Sequence, residues 1–545
     1  MATGGARPAA PPRPVGLFAA LLALLLAVGA AYGYTALANR QAGRYVRALA
    51  ARSLPFKAQT LTLQRAALRQ TGVLPIYGTS ELYCCAANYN AGYFFNTKPT
   101  GFVVFSVGYP VTEDLFWAQT FGALGHALRG KRLVVSDSPW FFSPGGIPPA
   151  AYAHTFSPEI AQVFAWDAPE PLALRAAVAR RMLDYPTTLR SMPLLRAGLR
   201  ALASGTWRGD LTYRLLDPLG RLSAWAAELR DAAKTIHTLD QLVHPKPAVP
   251  PRLLRQAIRR ATTGARTPWW RRLLGLGPAR GGPPALWQLL NRSTSPTPPR
   301  LRAFVPTRPR TIDWNSTLRQ ATRRAAALSA SNPFGVLAHQ WKTCSDITPV
   351  GRPWCERALV LYRHGRTNHA AQIYPLPMGW VQGVKACRCW TDLTLELETL
   401  RAMHAAPLVW LQPIQGALAD HTPYSAAARR VVYDRFRAIA YAEGVPATTF
   451  QTHDTDPLFI NSFGHLSPRG WVYADRLLNR FWHGRLGTLR AELARGGSVG
   501  RLFPASLNCP HPQWCQGVDN VPAIPGELAG LPVGLGMAPV ARAVP

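Results

Sequence analysis

The chain has 545 residues, 48% of them hydrophobic and only 16% charged, with a formal net charge of +33. This length exceeds one simple domain, and this composition excludes wholesale disorder. Arg supplies nearly all of the positive charge but is spread along the chain, with no Lys/Arg-rich run, zinc-finger spacing or RNA-recognition motif; nucleic acid is therefore not expected as a partner, which leaves an anionic lipid, an anionic wall polymer or simple compositional bias.

Residues 14 to 39 carry no charged side chain, and their centre, Val15 to Val28, is almost wholly Leu, Ala and Val. About 20 apolar residues in a helix cross a bilayer core, so a single-pass N-terminal transmembrane anchor is expected over residues 1–39, with the remainder extracytoplasmic. A cleaved signal peptide is the alternative, since Ala36-Leu37-Ala38 resembles a small-residue cleavage site. Arg7 and Arg13 precede the run and Arg40, Arg44, Arg47 and Arg52 follow it, so charge asymmetry does not fix its orientation. Residues 40–70, rich in Arg, Ala, Leu and Gln, read as a helical stem.

The texture then changes. Val73–Tyr77, Gly101–Gly108 and Lys131–Ser136 are short β-rich runs, and residues 113–129 between the last two read as a helix. Near-continuous apolar strands separated by helices predict a parallel sheet covered on both faces. The pattern returns late, with strands at Pro407–Leu411 and Val445–Gln451 and helices at 392–404, 425–443 and 468–482. The two halves of this α/β domain are thus expected at 71–150 and 391–483. A large, mostly helical insertion, 151–390, separates them and contains a Pro/Arg-rich section at 244–312; residues 484–545 form a C-terminal extension. Eight cysteines fit an oxidising compartment. Cys344 and Cys355, Cys509 and Cys515, the Cys387-x-Cys389 pair and the adjacent Cys84-Cys85 leave the connectivity open. No C-x₂-C spacing supports zinc, and no metal or cofactor is expected.

Two residues carry the candidate chemistry. Ser80 follows the first strand in Gly78-Thr79-Ser80-Glu81-Leu82. Sites in parallel sheets form at the carboxyl ends of strands, and a serine there can present both a nucleophilic hydroxyl and an amide aimed at an oxyanion. A helix N-cap is the competing reading. His465 lies in Phe459-Ile460-Asn461-Ser462-Phe463-Gly464-His465-Leu466-Ser467-Pro468, a loop entering a helix, where it can act as general base or simply cap the helix.

Together the two blocks, 385 residues apart, resemble those of the SGNH hydrolases, with an early Gly-x-Ser and a late His. The chain resembles one branch closely, the DltD family, which takes part in D-alanylation of teichoic acids. Tyr77–Leu82 is similar to its GSSEL block, and Phe105–Gly108 to its Gly-bearing second block. Val134–Phe141 resembles its third-strand block, Phe156–Ala161 the start of its helical insertion, Leu411–Gly416 its Pro-Val-Asn-Gly turn, and His465–Asp475 its final block. The resemblance implies a three-layer, SGNH-like (flavodoxin-like) sheet. It implies Ser80 as nucleophile, His465 as base and the Gly108 amide as an oxyanion donor. It also implies a membrane-bound O-acyltransferase as partner, acting on an anionic cell-envelope polymer. The family's acid stands three residues before the His, where this chain has Ser462. The imidazole is then oriented by Ser462 or a backbone carbonyl, or by Asp454 or Asp456 on the preceding loop, with Asn461 a weaker choice; otherwise activity is lost and a binding role kept. The expected function is extracytoplasmic O-acyl transfer through a serine acyl-enzyme. The alternatives are a non-catalytic polymer-binding or scaffolding subunit and a hydrolytic deacylase. Glu81 and Trp471 read as structural.

Overall fold

A computed structural model describes residues 15–82, 88–144, 146–244, 308–331, 377–419, 424–460, 465–484 and 502–511. Five strands form its sheet: β1 (Val73–Gly78), β2 (Val103–Gly108), β3 (Arg132–Asp137), β4 (Ala406–Leu411) and β5 (Ala447–Thr449). All pair in parallel, in the order β2-β1-β3-β4-β5. This is the 2-1-3-4-5 order of doubly wound sheets, whose switch point lies between the first and third strands.

The strands are apolar on both faces because both faces are covered. Leu74, Ile76, Val104, Val134, Leu408 and Trp410 enter one core, and the alternate residues Tyr77, Phe105, Val107, Leu133, Val135, Val409 and Leu411 enter the other. On the second of these faces lie α1 (Val15–Leu49), α2 (Leu61–Arg69), α4 (Asp114–Leu124), α6 (Pro158–Asp167), α7 (Leu172–Leu183), α8 (Pro193–Ala203), α9 (Trp207–Val243), α12 (Cys389–Ala402) and α13 (Ala426–Ala442). On the first lie α3 (Ala91–Thr97), α10 (Trp314–Ser331) and α14 (Pro468–His483). Two further helices, α5 (Pro149–Thr155) and α11 (Pro377–Ala386), complete the set named here. The expected α/β architecture with its helical layers is therefore present. The strand expected at Val445–Gln451 is shorter, three residues, and the helix expected at 113–129 closes as a 3₁₀ turn over Gly125–Leu128. Most of the Pro/Arg-rich section lies outside the described residues.

Helix α1 fixes the direction of the molecule. It runs unbroken from the apolar segment into the domain, and Ala38, Ala42, Val46 and Leu49 are buried. Gln70 Nε2 donates to the Gly43 carbonyl (3.1 Å) and the Arg47 guanidinium to the Thr71 carbonyl. These bonds set residues 43–47 beside the start of β1, at the amino edge of the sheet. Ser53 Oγ then donates to the Leu82 carbonyl (3.3 Å) beyond the end of β1. The apolar half of α1, with Phe18, Leu21, Leu24 and Leu25 exposed, consequently projects past the amino edge, away from the carboxyl edge. By length and hydropathy Phe18–Leu49 is a helix able to cross a membrane.

Cys387 and Cys389 form a disulfide within the C-x-C pair, and Cys509 is also disulfide-bonded. Cys84, Cys85, Cys344, Cys355 and Cys515 lie outside the described residues.

Candidate active site at the carboxyl edge

The first site element is built by two glycines. Gly78 and Gly108 end β1 and β2 as register partners, and the 3₁₀ turn Ser80–Leu82 folds back over both. A Cβ on Gly78 would meet Glu81 Oε1 at 2.3 Å, and one on Gly108 would meet the Thr79 carbonyl and Leu82 Cβ, each at 2.7 Å. Only glycine allows so close an approach. The turn is closed by Leu82 N–H donating to the Thr79 carbonyl (3.2 Å) and by Thr79 N–H donating to Glu81 Oε1 (2.9 Å). Ser80 is thereby held half-buried at the switch point.

The second element comes from the far end of the chain. An isolated antiparallel bridge joins Ile460 to Leu466, and Ser467 N–H donates to the Phe459 carbonyl (2.9 Å). Ser467 also caps α14: its Oγ accepts from Gly470 N–H (3.2 Å), with Pro468 in the first helical turn. His465 is pinned immediately before that cap. Its Nε2 lies 2.9 Å from Ser80 Oγ. The two residues read from the sequence as separate, ambiguous turn signals are hydrogen-bonded to each other.

The other candidates fall as follows. Ser462, Asn461 and the rest of 461–464 lie outside the described residues. Asp454 is fully buried and bound by Arg429 Nε (2.7 Å) and Tyr433 OH (3.0 Å). Asp456, equally buried, accepts from Arg469 Nε (2.8 Å) and Leu458 N–H (2.9 Å), with His453 Nδ1 at 3.5 Å. Arg469 and His453 hold its carboxyl below the usual range. Both carboxylates accept from guanidinium groups, of Arg429 in α13 and Arg469 in α14.

Sequence reading set Glu81 aside as structural. It is 1% exposed; burial pushes its carboxyl up to about 6, opposed by the Thr79 and Glu81 amides, the nearby His465 and the Ser136 hydroxyl. Ser136 Oγ is itself fixed by Trp410 Nε1 (2.8 Å) and Gln412 Nε2 (3.0 Å). A carboxylate in the field of the imidazole is thus supplied by the residue next to Ser80. Its adjacency in sequence was the available signal.

A buried acidic cluster lies on the other side of Glu81. Oxygens of Asp114, Asp137 and Glu396 are within 4.8 Å of one another, close enough among the described residues to hold a metal ion. Burial first, then Glu81, pushes Asp137 up to about 8, and Asp114 and Glu396 are raised by burial and mutual repulsion. Proton sharing is sufficient to neutralise such a group. These residues come from α4, β3 and α12, and nothing in their spacing announces the cluster.

The fold and site define a doubly wound α/β protein with a hydrogen-bonded serine–histidine pair at the switch point of its sheet. The sequence profile described as DltD protein matches residues 51–349 and 388–483. Protein DltD of Bacillus subtilis (strain 168) is 21% identical over 429 residues, covering 78% of this chain and 87% of that protein. The chain belongs to the DltD family, which is involved in the D-alanylation of teichoic acid and is membrane-associated.

Proposed function

We propose that this protein transfers an O-acyl group, D-alanyl by its family, to a hydroxyl of an anionic cell-envelope polymer outside the membrane, through an acyl-enzyme on Ser80. The supporting observation is the 2.9 Å contact between Ser80 Oγ and His465 Nε2. In the first step His465 Nε2 takes the Ser80 proton while Oγ attacks the acyl carbonyl carbon. The Ser80 and Gly108 amides stabilise the tetrahedral oxyanion. The bond to the leaving group breaks, and that group departs with the proton from His465. In the second step His465 takes the proton of the polymer hydroxyl, whose oxygen attacks the acyl-Ser80 carbonyl, and the ester forms as Ser80 recovers its proton. Each imidazolium formed is favoured by the Glu81 carboxylate. Ser80 and His465 are the reacting pair in that field. The α1 helix anchors the chain, and a membrane-bound O-acyltransferase supplies the acyl group.

Ser80 should react with a fluorophosphonate probe, and Ser80→Ala should abolish the labelling while the thermal transition is kept. Undiminished labelling of Ser80→Ala would remove Ser80 as nucleophile. A non-catalytic subunit is the second reading, favoured by Ser462 at the family's acid position. Hydrolysis of a simple aryl ester, lost in His465→Ala, would exclude it.

A further inference from the structure

Helix α9 carries an apolar stripe with no protein cover among the described residues. Trp207, Leu211, Leu215, Leu219 and Leu222 are 70%, 51%, 71%, 59% and 58% exposed. Their spacing of four, four, four and three puts them on one face, over about 22 Å of helix at 1.5 Å per residue. The opposite face, Gly209, Tyr213, Gly220 and Ala224, is buried. A ridge of one Trp and four Leu is costly to leave in water.

The position of the ridge identifies its occupant. Asp231 caps the start of α2 through Leu61 N–H (2.8 Å) and Thr62 N–H (2.7 Å), and Lys234 pairs with Glu159 at the start of α6 (2.8 Å). Nearer its own start, α9 meets the end of α6: Tyr213 OH donates to the Ala165 carbonyl, and Gly220 and Gly198 lie against the Trp166 ring. The end of α6 is at the amino edge, because Pro169 packs on Gly125, which closes α4 before β3 begins. Helix α9 therefore rises from the amino edge toward the carboxyl edge, packed beside α1, and its bare stripe lies at the end from which the apolar half of α1 leaves the domain. Arg208, Arg214 and Arg221 border the stripe; Arg208 lies over the Trp207 ring, and Arg221 pairs with Asp217 (2.8 Å). An exposed Trp/Leu face edged by Arg is the composition of helices that lie in a membrane interface.

The geometry points to the first four turns of α9 as a second membrane contact, the Trp207–Leu222 stripe entering the bilayer that α1 crosses with its Trp207 end leading, and with the Ser80–His465 edge turned away from it. This inference rests on α1 being a membrane anchor. Two contacts at one end fix the tilt of the domain, which a single helix cannot do, and hold the reactive edge outward at a constant height.

The test is photocrosslinking of full-length protein in vesicles of phosphatidylethanolamine and phosphatidylglycerol carrying a clickable acyl chain. Benzoylphenylalanine replaces Leu215, or Leu24 in α1, or Tyr93, which is 38% exposed at the start of α3 near the reactive edge. The expected result is lipid adduct at Leu215 within a few-fold of that at Leu24 and about tenfold above that at Tyr93. Adduct at Leu24 with only the Tyr93 level at Leu215 would overturn the inference and leave the anchor intact. Silence at both Leu24 and Leu215 would remove the anchor and the inference together, whatever becomes of catalysis. Crosslinking of Leu215 to another protein, or to a distant segment of this chain, would also overturn it by naming a different occupant.

Discussion

Glu81 is where a single side chain changes the expected chemistry. Its carboxylate is held against the Thr79 amide and faces His465, so it raises the affinity of the imidazole for a proton and favours the imidazolium formed during acyl transfer. Glu81→Gln keeps a carbonyl acceptor for Thr79 N–H and removes the charge. The plateau rate of acyl-enzyme formation should fall about tenfold, and the acid limb of its pH profile should move to lower pH. Below about 6, where Glu81 itself takes up a proton, the wild-type and variant profiles should converge. A purely structural Glu81 would lower the rate without moving the limb, so the pH–rate profile separates the two roles.

At the scale of elements, the site depends on how closely the Thr79–Leu82 turn lies on the ends of β1 and β2. At Gly108 the atoms a Cβ would strike include the Thr79 carbonyl, which is backbone and cannot swing aside. Gly108→Ala should therefore cost about 1–3 kcal/mol by overpacking and push Ser80 out of reach of His465, so that thermal stability and probe labelling fall together. Gly43→Ala in α1 is the matched control, since its Cβ would make an ordinary 3.6 Å contact with the Gln70 side chain and should be neutral or slightly stabilising. Differential scanning calorimetry of the two variants checks both halves of this expectation.

Over the whole molecule, a chain of net charge +33 concentrates buried acids beneath its reactive edge. The carboxyl of Asp137 is raised to about 8 and that of Glu81 to about 6, both above their values in the unfolded chain. A raised folded-state value means stability that is complete at low pH and lost as pH rises through it. For Asp137 this loss falls between about pH 4 and 8. Asp456 acts in the opposite sense: its value is depressed by Arg469, so its contribution is lost as pH falls through the acid range. Thermal stability should therefore peak in the acid range and decline up to about pH 8. Asp137→Asn should flatten that decline when melting temperature is measured from about pH 4 to 8.

The local chemistry of this chain was legible in its residues. The charge-free run before Arg40, the short apolar strands and the turn signals around Ser80 and His465 report conformations set by near neighbours, and near neighbours are what a sequence lists. Block resemblance supplied the family for the same reason. The β5 region was read four residues too long, two at each end, because apolar character outlasts the hydrogen-bonded ladder. What only the tertiary structure decided involves residues brought together by topology. It set Ser80 against an imidazole 385 positions away and bound Asp454 and Asp456 to Arg429 and Arg469. It also gathered Asp114, Asp137 and Glu396 from three elements. The four-residue spacing of Trp207, Leu211, Leu215 and Leu219 was visible in the sequence, but periodicity tells which residues share a face, and only packing tells whether that face is covered.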